Sequence, residues 1–243
     1  MAKASGLNVR LYVEGANLSG DANSLGGVGY SQELYDITSL DSSAVERIIG
    51  LADGTLSVNG FFDNRTGGIH PTFTSNSGSQ PTADQNVLVP LGSSAGDGFY
   101  GLVAKQAEYN VERGDSGAIT VASSFQATAG AVPIFGKMMT AFDDTHSSAG
   151  SGTVVDGGAA TSNGGVGFLQ VFSLASGSVT VKVEESTSSG GSYTAVTTFS
   201  TVGTSDVPTA ERTEMSGTVK RYLKVTTTGT FSNAVIAVGF ARL

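Results

Sequence analysis

The sequence predicts an all-β protein, and three observations carry that expectation. Only 14% of the residues are charged, so the chain lacks the Lys- and Glu-rich material from which long solvent-facing helices are built. Apolar residues recur mainly at every second position, the period of a half-buried strand. Glycine, at 34 of 243 residues, joins Ser, Thr and Asn in short clusters between those runs, as turns require. Glycine shows no three-residue period, which excludes a collagen-like chain, and 39% hydrophobic residues are enough to bury a core. With no cysteine there is no disulfide scaffold, thiol nucleophile or thiolate metal site.

The first strand is Asn8 to Glu14, where Val9, Leu11 and Val13 alternate with polar residues until Gly15 ends the run. A glycine-rich stretch to residue 29 reads as flexible, and Ser31 to Thr38 as extended. Ser43-Ala44-Val45-Glu46 has the form of a capping box and Gly50 that of a left-handed stop, so the spacing predicts a short helix over Ser43 to Ile49. Asp53-Gly54 then marks a tight turn, and Leu56, Val58, Phe61 and Phe62 define a strand ending in a double aromatic. From Asn64 to Gln85 the only bulky apolar residues are Ile69 and Phe73, which predicts a long loop, a kind of segment usually ordered by function or by a partner. Val87 to Leu91 is a short strand whose Pro90 marks an edge or an end.

A long hairpin follows. Leu102 to Glu112 and Ala118 to Thr128 flank the turn Arg113-Gly114-Asp115-Ser116-Gly117, with Val103, Ala107, Tyr109 and Val111 expected on one face of the first arm. Ile119, Val121, Ser123 and Phe125 are expected on one face of the second. Residues 147–167 form a Gly/Ser-rich linker or loop between a β-sandwich at 1–146 and a second β-sandwich or jelly-roll-like part at 168–243, which is either separate from the first or integrated with it. Five strands are expected there: Phe168 to Leu174, Val179 to Glu184, Tyr193 to Phe199, Val219 to Val225 and Val235 to Phe240.

Motifs for chemistry fail on context. Gly96-Asp97-Gly98-Phe99-Tyr100-Gly101 has dinucleotide-binding spacing, but a strand follows where that site needs a helix. Gly92-Ser93-Ser94-Ala95-Gly96 has the nucleophile-elbow spacing, which a chain this rich in Gly and Ser produces by chance. Asp143, Asp144 and His146 offer at most a weak metal site, for which loop solvation is the simpler reading. Arg113-Gly114-Asp115 is ordinary turn chemistry, and Lys220, Arg221 and Lys224 read as the surface of a strand. No enzyme activity, cofactor or metal is expected. Residues 1–167 carry 7 basic and 16 acidic residues, so most of the chain repels phosphate rather than gripping it. No apolar run of about 18 residues is present, so no membrane partner is expected.

Several segments together resemble the major tail, or tail tube, proteins of long-tailed bacteriophages. They are Asp36-Ile37-Thr38, the expected helix, Gly50-Leu51-Ala52-Asp53-Gly54 and Val58-Asn59-Gly60-Phe61-Phe62-Asp63. Weaker matches follow at Lys105 to Asn110, Arg221 to Val225, Thr228 to Phe231 and Gly239 to Arg242. The likeness is most specific over residues 31–63. It implies a non-enzymatic virion protein, made in the host cytoplasm, whose hexameric rings stack into a tube. Other tail proteins would be its partners, and genomic double-stranded DNA would pass through the lumen without sequence-specific binding. Phe61, Phe62, Ile69, Phe73, Arg113 and Asp115, on the long loop and hairpin, are then the expected contacts between subunits. The rival classes are a capsid decoration or cement protein and a carbohydrate-binding virion module, the latter limited to Tyr193, Phe199, Tyr222 and Phe231 as stacking platforms.

Overall fold

A computed structural model describes residues 8–75, 78–114, 117–128 and 132–243. The fold is all-β, with every strand pairing antiparallel and one short helix, Ile69–Phe73, among the described residues. The helix expected at Ser43 to Ile49 is absent. Of those residues, Arg47 to Ile49 begin the strand Arg47–Phe61, which pairs along its length with Ala22–Asp36. Residues 22–29, expected as flexible, are therefore strand, and Asp53-Gly54 lies inside the ladder rather than at a turn. A side chain at Gly54 would strike the Pro133 ring at 2.3 Å, so glycine serves close packing at that position.

The amino-terminal core is closed by Arg47–Phe61, Gln85–Pro90, Gly98–Arg113 and Ile119–Ala127. Leu56, Val58, Val87, Val89, Leu102, Val121 and Phe125 point into it. Gln85–Pro90 has partners on both sides, so Pro90 marks a strand end and not an edge. The expected hairpin is present. Val121, Ser123 and Phe125 face inward on its second arm, whereas on the first the inward residues are Leu102, Ala104 and Gln106. A bulge between Gln106 and Glu108 leaves Ala107 unpaired and resets the alternation, so that Tyr109 and Val111 sit opposite Ser123 and Val121. Period two therefore holds on each side of the bulge but not across it.

The carboxyl-terminal part turns on a single 22-residue strand, Gly165–Ser186, which joins two of the strands expected separately. Its first half lies between Thr209–Met215 and Phe231–Arg242; its second pairs with Thr194–Thr198 and Tyr222–Thr228. The strand thus passes from one sheet layer to the other around Leu169, Val181, Val183, Leu223, Val225, Ile236 and Val238. The stretch 147–167 contributes two-residue pairings of Gly150–Ser151 and Val155–Asp156 to Tyr222–Thr228.

A third core joins the two parts: Tyr12, Leu88, Phe99 and Met138 pack against Val166, Phe168, Ala237 and Ala241. Phe231–Arg242 also pairs with Ile134–Met138 and Asp144–His146. Buried Gln170 adds a polar tie, its Oε1 accepting from the Gly15 N–H at 2.6 Å and its Nε2 donating to the Asn86 carbonyl at 3.0 Å. Glycines shape this central core. A Cβ at Gly136 or Gly239 would lie 2.6 or 2.8 Å from the Phe99 ring, and one at Gly101 would lie 2.7 Å from Phe168. The two rings meet edge to face, with centroids 5.9 Å apart. Because glycine-lined hollows cannot collapse onto a smaller side chain, Phe99→Ala is expected to cost about 3–5 kcal/mol. Chemical denaturation measures it, and a loss below about 1 kcal/mol would contradict this packing account.

Candidate assembly surface

The residues between Ser31 and Asp53 extend the first hairpin beyond the body of the protein. Near its base, Arg47–Phe61 is covered on one face by the core and paired with Ile119–Ala127 from Thr55 to Phe61. Beyond Thr55 that support stops, leaving a two-stranded ribbon with the pairs Gln32 with Ala52, Leu34 with Ile49, Tyr35 with Ile48 and Asp36 with Arg47. Directly paired residues share a face and neighbours alternate, so Leu34 and Ile49 lie on one side and Tyr35 and Ile48 on the other. All four are exposed, as are Ile37, Leu40 and Val45, and Leu51 is 92% exposed.

The local chemistry favours strand over helix at this point. The Glu46 N–H donates to Thr38 Oγ1 at 2.9 Å and the Ile37 N–H to the Glu46 carbonyl at 3.0 Å, so both turns of the chain are tied across the ribbon. Glu46 accepts from the Ser42 hydroxyl instead of completing a capping box with Ser43. Val45, Ile48 and Ile49 are β-branched, and a helix of about two turns has no intrinsic stability to set against a ladder. Both sides of the ribbon being apolar hides it from a period-two search. The signal available in the sequence was the apolar density of residues 45–51, which fits either element.

The expected contact residues separate into three groups. Phe61 is 51% exposed on the open face of the sheet and Arg113 is exposed at the hairpin end. Phe62 is half-buried, its ring 4.7 Å from that of His70. Ile69 and Phe73 are fully buried in the subunit's own core and are not surface residues. The long loop folds inward because Asp21 accepts from the Ile69 N–H at 3.1 Å, while the Thr72 and Thr74 hydroxyls donate to the carbonyls of Gly68 and His70. Arg65 joins this lock through Asp63, whose carboxyl it holds down at about 2 by hydrogen bonding and charge. Burial and the Asp63 charge push Asp21 upward. Asp115 lies outside the described residues.

The open face of the same sheet is polar. Asn59, Ala122 and Asn110 form one row across three strands, Ser57, Ser124 and Glu108 the next, and Phe61, Thr120 and Glu112 the third. Lys105, on the flanking position, is paired with Asp84 at 2.7 Å.

Other candidate chemistry is absorbed into structure. Gly98 begins a strand, and Ser94 lies in a turn whose N–H donates to Asp97. Asp143 accepts twice from the Asn17 carboxamide at 3.1 Å, and Asp144 lies 3.4 Å from His146. The basic strand residues meet carboxylates: Lys220 with Glu185, Arg221 with Asp156 and Lys224 with Glu184. Phe199 and Phe231 are buried, while Lys224 lies 4.4 Å over the Tyr193 ring and Arg221 5.1 Å over that of Tyr222. No helix among the described residues is long and apolar enough to cross a membrane.

The sequence matches no protein-family model and no curated protein. Solved structures similar to this chain include a subunit of the virion of a native gene transfer agent particle, 12% identical over 52% of this chain and 95% of that one, with a TM-score of 0.40. Another is from the sheath/tube terminator of an extracellular contractile injection system, PVC, in its extended state: 10% identical, 56% of this chain and 97% of that one, TM-score 0.44. A third is SPP1 Dit, a hub adsorption protein of phages infecting Gram-positive hosts, 9% identical over 96% and 99% of the two chains, TM-score 0.34.

Proposed function

We propose that this chain is a non-enzymatic structural subunit of a phage-type tail, whose copies join into hexameric rings that stack as a tube. The apolar ribbon carries the reading. A two-stranded hairpin exposed on both faces is marginal in water, and its eight exposed apolar side chains present on the order of 1,000 Å² over two faces, so that each face alone equals the largest patch of a typical monomer. A second protein surface must cover it. The residues that build the ribbon fall within 31–63, the segment whose sequence most resembles tail tube proteins. Phe61 and Arg113, and with them Asp115 and the rim of Phe62, remain candidate contacts at the ring or stacking interfaces.

The polar sheet face suits a lumen wall. Its Ser and Asn side chains offer no groove-reading array, and Glu108 and Glu112 repel phosphate, so double-stranded DNA would slide past without sequence-specific binding. The shared core and the strand Phe231–Arg242 tie residues 168–243 to the amino-terminal part, which supports the reading in which they complete the tube fold instead of decorating it. The subunit would be made in the host cytoplasm and act in the virion, beside other tail proteins. A carbohydrate-binding module is disfavoured because cations already lie over the Tyr193 and Tyr222 rings.

Negative-stain microscopy of the purified chain over a rising concentration series tests the proposal. Six-fold rings or tubes are the expected result; trimers that bind capsids would move the protein to the decoration class. A tube whose lumen is walled by basic residues would remove the DNA-passage part.

A further inference from the structure

We infer that the ribbon of one copy docks its tip in an aromatic groove at the ribbon base of the next copy, so that the two surfaces together form one head-to-tail contact. The inference rests on the assembly reading above and names the surface that receives the ribbon. The groove, of about 550 Å³, is lined by Val28, Tyr30, Tyr100, Pro133, Ile134 and Phe135. Tyr30 is 64% and Phe135 59% exposed, although both are large and apolar. Phe135 is fixed from behind: its ring contacts Tyr100 edge to face at 5.3 Å and rests where a side chain at Gly98 would strike it at 2.8 Å. The groove is thus a preformed aromatic surface.

The ribbon's own tip cannot fill it. Val28 and Tyr30 belong to the ribbon's base, and the six paired residues from Tyr30 to Asp36 carry Leu40 about 20 Å or more away from it. The occupant must be another molecule, and a second copy has matching chemistry. Its tip between Glu33 and Arg47 bears Glu33, Asp36, Asp41 and Glu46 against the single cation Arg47. On the groove side, the register of Phe135 with Tyr100 and of Lys137 with Gly98 places Lys137 on the same face as Phe135, its ammonium donating to the Asp156 carbonyl at 2.7 Å and keeping its charge. An acidic rim on the tip therefore meets a cation beside the groove. The apolar side chains on the ribbon's two faces total on the order of 1,000 Å², so the roughly 800 Å² per partner of a stable interface is reached when the neighbour holding the tip also lies along the ribbon. Because tip and groove are different surfaces, the contact is heterologous and propagates into rings or filaments instead of stopping at a dimer.

The chain lacks cysteine, so introduced thiols report one contact at a time. Leu40→Cys protein mixed with Phe135→Cys protein under mild oxidation should give a cross-linked dimer at least tenfold above either variant alone, and the double variant a ladder of multimers. Tyr100→Cys replaces Phe135→Cys if the latter fails to fold. Cross-linking of Leu40→Cys to itself would show tip-to-tip pairing and overturn the inference, as would particles on microscopy grids that give no mixed product. Protein that stays monomeric at every concentration would overturn the assembly reading as well.

Discussion

Replacing Ile49 and Leu51 together by glutamate is expected to leave the subunit folded and to abolish its association. Both side chains are exposed in the isolated chain, where substitutions usually change stability by less than about 0.5 kcal/mol. In an interface the same carboxylates would be buried without partners, at about 3–5 kcal/mol each. Since about 1.4 kcal/mol is tenfold in affinity, the pair should weaken association at least a thousandfold. Sedimentation velocity beside a thermal melt separates the two effects. An unchanged melt with unchanged assembly would show that the ribbon is not the contact, and a collapsed melt that its side chains support the fold.

Deleting residues 164–243 is expected to unfold what remains. The deletion removes Val166, Phe168, Ala237 and Ala241 from the core that covers Tyr12, Leu88, Phe99 and Met138. At about 1.5–3 kcal/mol for each large apolar side chain left exposed, the loss is comparable to the 5–15 kcal/mol of a whole domain. It also strips Gln170 from the Gly15 N–H and the Asn86 carbonyl, and leaves Ile134–Met138 and Asp144–His146 without the strand Phe231–Arg242. Residues 1–163 should show no cooperative melting transition. A sharp transition with dispersed amide resonances would instead identify an independent amino-terminal domain.

The two predictions differ in how far the sequence anticipates them. The hairpin at 102–128 was legible because Val121, Ser123 and Phe125 keep strict alternation, and most of the final strands because their inward valines do the same. The first arm was legible only past the bulge at Ala107, since one unpaired residue inverts the pattern and no local signal announces it. Ile69 and Phe73 were visible as isolated apolar residues in a polar stretch, but their burial depends on Asp21, 48 residues away from Ile69. The ribbon was the least legible part. Alternation reports one wet and one dry face, and a strand pair that is apolar and exposed on both faces offers no such contrast. Gly101, Gly136 and Gly239 likewise carry no local signal of their role, which is set by the aromatic ring lying over each.

The place of Phe231–Arg242 inside the sheet has a consequence for timing. A chain leaving the ribosome makes its ribbon first, from residues 22–61. The strand bearing Phe135 is flanked on one side by Gly98–Arg113 and on the other by Gly239 and Phe240, so the aromatic groove gains its full support only roughly a hundred residues after Phe135 is made, or about 5–20 s of elongation. Each nascent chain therefore displays its ribbon tip before its own groove is finished. If the tip docks as proposed, a growing chain can offer its ribbon to a finished subunit but can receive none until its own last strand is in place.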